Sequence, residues 1–242
     1  MTIRLAIDIG GTFTDLVLEY DGTRHTAKVL TTPDRPADGL MQGVDQILEQ
    51  SGIEADSIEL IVHGTTLATN ALIERKGART ALITTEGHRD TLEMAFENRF
   101  DQYDIQADRR PPLIGRDLRL PVSERMNYRG APLRPLDEAS VSAVIPRLRD
   151  AHIDSVAVGL LHAYANPAHE QRVAAILSEA MPGLSLSLSS DVCPEIREYE
   201  RQSTTVANAY VRPMIASYLA DLETQLAARG LRCPFLLMTS GG

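Results

Sequence analysis

The chain alternates short apolar runs with longer segments whose apolar residues recur every three or four positions. Residues 3–9 and Leu16-Val17-Leu18 are strand-like and joined through a glycine pair, which predicts a β-hairpin. Residues 26–30 read as a third strand. Ala37, Leu40, Met41, Val44, Ile47 and Leu48 then share one face of a helix, with Gly52 as its stop. Residues 58–62 read as a strand, 67–76 as a helix ended by Gly77, and 79–84 as another strand. Strands alternating with helices imply parallel pairing and an α/β class.

From about Asp90 to Pro135 the pattern breaks. Four prolines lie between Pro111 and Pro132, arginines are frequent and no period is clean, which predicts an irregular insertion or binding loop. A second α/β unit follows, with helices over 136–149 and 167–181, the latter capped by Asn166 ahead of Pro167. Strands are expected over 155–161 and 184–188, and a long helix over 204–229 kinked by Pro213. A last strand at 235–238 runs into Thr239-Ser240-Gly241-Gly242, turn chemistry that normally leads into another element. The expected division is a domain over 1–90, an irregular insertion over 91–135 and a second α/β unit over 136–242. The chain itself reads as the N-terminal part of a longer protein.

With 43% apolar residues, 242 residues can bury one large core or two small ones. A formal charge of −9 and a pI near 5.2 argue against nucleic acid or an anionic membrane as main partner. The adjacent Arg109-Arg110 pair is read as a solvated loop. No run approaches the roughly 18 apolar residues of a membrane span. The first apolar stretch is too short for a signal peptide and ends at Asp8. Cys193 and Cys233 lie far apart without metal-ligand spacing, so both are expected to be reduced packing residues, in a cytoplasmic protein.

The candidate chemistry concentrates in Asp8-Ile9-Gly10-Gly11-Thr12-Phe13-Thr14-Asp15. Gly10 and Gly11 allow a tight turn and a close ligand, Thr12 and Thr14 offer hydroxyls, and Asp8 and Asp15 flank the turn with carboxylates. Such a set suits a phosphate arriving with Mg²⁺, a cation that favours oxygen ligands. The alternative is an ordinary hairpin. Neither of the two common nucleotide fingerprints, G-x-x-x-x-G-K-[ST] and G-x-G-x-x-G, is present. A second constellation, His63-Gly64-Thr65-Thr66-Leu67-Ala68-Thr69-Asn70, sits where a strand gives way to a helix, a place where α/β sheets hold ligands. There the alternative is that Thr65 or Thr66 caps the helix and His63 is a hydrogen-bonded core residue.

The hairpin resembles the first phosphate loop of the actin and sugar-kinase superfamily, which opens a ribonuclease-H-like domain. The strings DIGGTFTD and HGTTLATNALIERKGARTALITTEGHRD, followed by NPAHE, PEIREYERQSTTVANAYVRP and MTSGG, resemble in order the N-terminal portion of hydantoinase A-type subunits of the hydantoinase/oxoprolinase family. The resemblance implies ATP-dependent opening of a hydantoin, 5-oxoproline or similar lactam, with the ketone carboxylases as relatives. It implies that Asp8 and Asp15 organise Mg²⁺, that Gly10, Gly11, Thr12 and Thr14 hold the ATP phosphates, and that His63, Thr65, Thr66 and Asn70 face the substrate carbonyl. It further implies a hydantoinase-B-like partner and a second phosphate loop beyond Gly242, so the chain alone is expected to fold and to be inactive. Self-association through the last strand or the long helix is a further expectation. His88 departs from the Phe expected in TTEGHRD and is read as a packing change.

In PEIREYERQSTT, Glu198 or Arg201 is a candidate for the active site. The competing reading is a solvated helix start with a Ser203 or Thr204 cap. His162, His169 and Glu170 read better around a capped helix start than as metal ligands. Three functions stay open: cyclic-amide hydrolase, ketone carboxylase subunit, and non-catalytic binding or assembly module.

Overall fold

The structure is a computed structural model that describes residues 2–32, 35–96, 103–107 and 111–238. In chain order its elements are β1 (Arg4–Ile9), β2 (Phe13–Tyr20), β3 (Thr23–Leu30), α1 (Pro36–Ser51), β4 (Leu60–Thr65), α2 (Leu67–Glu74), β5 (Thr80–Thr85) and α3 (Thr91–Met94). There follow β6 (Arg119–Val122), β7 (Arg125–Met126), β8 (Pro132–Arg134), α4 (Glu138–Asp150), β9 (Ser155–Gly159), α5 (Ala168–Ala180), β10 (Ser185–Leu188), α6 (Ser189–Val192), α7 (Glu198–Ala228) and β11 (Phe235–Leu237). They fall into two compact units, Met1–Glu74 with Met214–Gly242, and Arg75–Pro213.

The first unit holds a five-stranded sheet in the order β11-β4-β1-β2-β3, the ribonuclease-H-like arrangement. β1, β4 and β11 run parallel, while β2 is antiparallel to both β1 and β3. Strict alternation sends Leu5, Ile7, Ile9, Leu16 and Leu18 inward, where they meet Leu40, Met41, Val44 and Ile47 of α1 and Leu222 and Leu226 of α7. Gly52 stops α1 in the left-handed region, φ 68°, and donates to Leu48 O.

The second unit holds a parallel sheet in the order β10-β9-β5-β6. β5 and β9 are buried at every position, the signature of central strands covered on both faces. Ala81, Ile83, Val156 and Val158 pack on Val141 and Leu148 of α4 and on Val173 and Leu177 of α5. Leu82 and Ala157 face the other way, onto Val206 and Ala209 of α7.

Several expectations need correction. The strand expected at 79–84 in the first domain is β5, and it pairs in the second sheet instead. α2 ends at Glu74, with Arg75 at φ 56°, before Gly77 is reached. Gly77 instead makes room for a neighbour: a Cβ there would stand 2.2 Å from the Tyr210 ring. The stretch 91–135, expected as an irregular insertion or binding loop, supplies α3, the edge strand β6 and the ribbon β7-β8. Pro121 sits in β6, where an edge position spares a ladder donor. α7 begins at Glu198 rather than 204 and keeps Pro213 inside it. The Arg109-Arg110 pair and the terminal Thr239-Ser240-Gly241-Gly242 lie outside the described residues. Both cysteines are free, and Cys233 packs against the first core. Among the described residues no helix is long and apolar enough to cross a membrane.

Candidate functional site

The hairpin turn closes through Gly10 N, which donates to Phe13 O at 2.9 Å. Neither Gly10 nor Gly11 adopts a positive φ, so the turn needs glycine for space and not for handedness. The alternation that buries Leu16 and Leu18 also buries Thr14, at 0% exposure. Its hydroxyl lies 3.1 Å from that of Thr31, which donates to Gly10 O at 3.0 Å. Thr14, expected as a phosphate ligand, is thus buried beneath the turn and braces it. Thr31, which also donates its N–H to Thr12 O, is a supporting residue the sequence reading left unassigned.

Asp8 and Asp15 are direct cross-strand partners on the opposite, exposed face. Like charges placed so oppose pairing, and Lys28 on β3 relieves them by binding Asp15 at 2.6 Å. The Lys28 ammonium also lies 4.8 Å from the centre of the Phe13 ring. Lys28 was missed; its signal was its place opposite the motif on the next strand. Asp8 differs from Asp15 in that its carboxylate accepts no hydrogen bond among the described residues. Its neighbour on β4 is Gly64, and a Cβ there would stand 3.1 Å from Asp8 Oδ1. The donor set suits Mg²⁺: one open carboxylate with room around it, a second beside it on Lys28, and oxygen atoms elsewhere. No group of three or more His, Cys, Asp and Glu gathers among the described residues, so such an ion would be held jointly with phosphate oxygens.

The second constellation divides between two faces. In β4 the period of two that buries Ile61 also buries His63, at 0% exposure, and turns Gly64 toward Asp8. His63 Nε2 lies 2.9 Å from the Tyr218 hydroxyl and Nδ1 lies 3.4 Å from Ile7 O. A neutral ring satisfies both, donating from Nδ1 and accepting at Nε2. Its ring stacks on Phe235 at 5.6 Å. Burial lowers the pKa of His63 and raises that of Tyr218, so both are held neutral. His63, expected to face the substrate carbonyl, is thus placed as a buried, hydrogen-bonded residue, the alternative the sequence left open. Thr65 accepts from Leu67 N at 3.2 Å and starts α2, while Thr66 donates its N–H and its hydroxyl to Ile9 O at 3.1 and 3.3 Å. Asn70 Nδ2 donates to the Thr66 hydroxyl at 3.3 Å and lies where a Cβ on Gly11 would come within 3.3 Å. Thr66 and Asn70 are therefore fastened against the glycine turn, which joins the two sequence motifs at one place.

Arg201, expected either at an active site or on a solvated helix start, is fully buried. Its guanidinium donates to Leu160 O and Glu195 O, both at 2.9 Å, and to the Ser189 hydroxyl at 3.1 Å. Ser189 in turn donates to Glu170 at 2.6 Å, and Glu170 also accepts from Leu160 N and Ser190 N. Burial raises the pKa of Glu170 and lowers that of Arg201. Ser203 and Thr204 lie within α7 and cap nothing. His169 pairs with Glu124 at 2.8 Å, and Glu124 accepts from Thr85, so His169 and Glu170 serve separate networks.

Comparison with known proteins follows the same lines. The family described as hydantoinase/oxoprolinase N-terminal region matches residues 4–181. The chain is 36% identical over 247 residues to caprolactamase subunit alpha of Pseudomonas jessenii, covering 99% of this chain and 35% of that protein. It is 36% identical over 253 residues to the acetophenone carboxylase gamma subunit of Aromatoleum aromaticum, covering 98% and 35%. To 5-oxoprolinase 1 of Arabidopsis thaliana it is 34% identical over 271 residues, covering 99% and 21%. The crystal structure of the ATP-dependent caprolactamase from Pseudomonas jessenii superposes with a TM-score of 0.88 at 35% identity, over 97% of this chain and 35% of that one. The chain thus spans about a third or less of the length of these relatives.

Proposed function

This chain belongs to the hydantoinase/oxoprolinase family, and on that premise we propose that the protein carrying it couples ATP cleavage to the opening of a cyclic amide. An amide carbonyl is protected from water by donation from its nitrogen. Moving the γ-phosphoryl group of ATP to the amide oxygen removes that protection. Water then adds to the carbon, the ring nitrogen leaves with a proton, and a second water releases phosphate from the acyl phosphate. Phosphoryl transfer asks a protein for position and charge neutralisation more than for covalent chemistry.

The observation that carries this reading is the open Asp8 carboxylate over Gly64, beside the Gly10-Gly11 turn. Mg²⁺ bound with the nucleotide would neutralise phosphate charge, and Asp8 would hold it or its waters with Asp15 alongside. Gly10, Gly11 and Thr12 would take the phosphates. Thr14, Thr31, Thr66 and Asn70 would fix the turn that receives them. The relatives named as subunits support a hydantoinase-B-like partner, and the exposed Leu236 and Leu237 of β11 support self-association.

A second reading, a subunit of a ketone carboxylase, draws on an identity to the acetophenone carboxylase subunit that equals the identity to caprolactamase. There the phosphoryl acceptor would be an enol or bicarbonate oxygen. ATP hydrolysis by the whole protein, assayed with Mg²⁺ and each of hydantoin, 5-oxoproline, ε-caprolactam and acetophenone with bicarbonate, decides between them. Stimulation by a cyclic amide is the expected result. Stimulation by the ketone alone favours the second reading, and none at all leaves a binding or assembly module.

A further inference from the structure

A cavity of about 440 Å³ lies wholly within the second unit. Its place follows from topology. From β5 the chain goes to β6 on one side, whereas β9 goes to β10 on the other, so the strand order reverses between the parallel neighbours β5 and β9. Open α/β sheets bind ligands outside the carboxyl ends of strands at such a switch point. His88 follows the end of β5, His162 follows the end of β9, and both line the cavity.

Backbone strain gathers at the same place. Three of the six non-glycine residues with positive φ among the described residues are Ala95 (46°), His162 (55°) and Arg197 (77°), and all three line this cavity. Such conformations cost energy and collect where a ligand must be met.

The polar groups are arranged with capacity to spare. Arg125 Nη1 donates to His88 Nε2 at 2.8 Å, and a guanidinium has five donors. The Arg125 side chain has no other hydrogen-bond or ion-pair partner among the described residues. Because Arg cannot accept, His88 must be neutral; its lowered pKa, from burial and then from Arg125, agrees. His88 is therefore a polar cavity residue, which corrects its reading as a packing change. Glu198 also lines the cavity, and its carboxylate has no hydrogen bond or ion pair among the described residues. The lining also has an apolar part, with the rings of Phe96 and Tyr199 edge to face at 4.9 Å. The arginines and glutamates of the lining balance, Arg125 and Arg197 against Glu198 and Glu200, which favours a neutral ligand over an ion.

We propose that this cavity binds a small neutral amide, its carbonyl oxygen toward Arg125, its N–H toward Glu198 and its hydrocarbon part against Phe96 and Tyr199. The assignment rests on the cyclic-amide reading above for its biological meaning, and on the cavity alone for the binding itself. Calorimetry on the whole protein without nucleotide, with ε-caprolactam, hydantoin and 5-oxoproline as probes, tests it. Expected is binding of a neutral amide in preference to the anionic 5-oxoproline, weakened at least tenfold by Arg125→Met and unchanged by Asp8→Asn. Tyr199→Ala serves as a second variant should Arg125→Met fail to fold, and melting curves establish which variants are folded. Failure of the wild type to bind any probe, or unchanged affinity in the folded variants, overturns the proposal. If probes bind as expected but never stimulate ATP cleavage, the cavity stands and the hydrolase reading falls. If a cyclic amide drives ATP cleavage with the same KM in wild type and folded Arg125→Met, the hydrolase reading stands and the cavity assignment falls.

Discussion

Asp8 and Glu170 are carboxylates in opposite circumstances. Asp8 stands on the exposed face of a sheet, above a glycine that leaves it room, and accepts nothing among the described residues. Glu170 is buried, and every direction around it is taken: two backbone N–H groups, the Ser189 hydroxyl and, through Ser189, the Arg201 guanidinium. Burying a charge is costly unless it is fully bonded, so the completeness of the second cluster is what the fold demands. The openness of the first is not demanded by the fold. A group left unbonded beside a glycine turn is available to a ligand.

The sharpest way to break this contrast is to exchange the expected consequences. Arg201→Met removes a buried cation that reaches Glu170 through Ser189, and strands Leu160 O and Glu195 O. Breaking a buried charged network of this kind costs about 3–5 kcal/mol, which for a chain of this size lowers Tm by roughly 10 °C. Adding Glu170→Gln should recover part of that loss. An unchanged Tm with lost activity would instead make Arg201 a catalytic group. Asp8→Asn should do the reverse. It keeps shape but removes charge, so melting stays as in wild type while ATP turnover by the whole protein falls about 100-fold or more. Wild-type turnover in that variant would remove Asp8 from the site.

The sequence made one side of this contrast far more legible than the other. Gly10-Gly11 between alternating runs announced the hairpin, and Asp8 and Asp15 lie outward as paired acids should. The same alternation, applied from Leu16 back to Thr14 and from Ile61 on to His63, would have sent both inward; residue type argued for chemistry and geometry overruled it. Arg201 and Gln202 were hidden by charged neighbours, since a helix start rich in Glu and Arg looks solvated whichever face is buried. Sheet membership of β5 was beyond reach of pattern. A strand buried at every position fits the centre of either sheet, and only long-range pairing with β9 decides. In 91–135, proline and arginine masked β6 because an edge strand tolerates the one and Arg119 is drawn inside by Glu93 and Ile114 O.

His63 tests the contrast within one strand. His63→Ala opens a cavity and strips the Tyr218 hydroxyl of its acceptor, a loss of about 2–3 kcal/mol in stability. Nucleotide affinity of the folded variant should hold. The pH dependence has a definite sign. Burial holds the folded imidazole below its ordinary value of 6.5, so below that pH the unfolded chain takes up a proton that the folded chain refuses. The contribution of His63 is complete above 6.5 and is lost as pH falls toward its own lowered pKa. Glu170, with a raised pKa, acts in the opposite direction as acid is added. The comparison of Tm in wild type and His63→Gln between pH 7 and 5 isolates the histidine: the wild type should lose more stability over that interval. Equal slopes would place His63 in contact with solvent.

The smallest effect belongs to Lys28, and it sharpens the contrast by asking whether the open face matters to the fold at all. The Lys28–Asp15 pair is short, 2.6 Å, but both side chains are about half exposed, 55% and 51%. Water screens such a pair, and exposed pairs contribute about 0–1 kcal/mol. Lys28→Met should therefore change stability by less than about 1 kcal/mol, and the coupling between Lys28→Met and Asp15→Asn in a double-mutant cycle should be equally small. Its effect should appear in function, as a several-fold rise in the KM for ATP, because removing the ammonium leaves two adjacent carboxylates facing an incoming polyphosphate. Raising the salt concentration should shrink the difference, since charges in contact with solvent are screened over about 10 Å at 0.1 M. A stability loss of several kcal/mol with unchanged KM would mean that Lys28, like Arg201, belongs to the fold and not to a ligand.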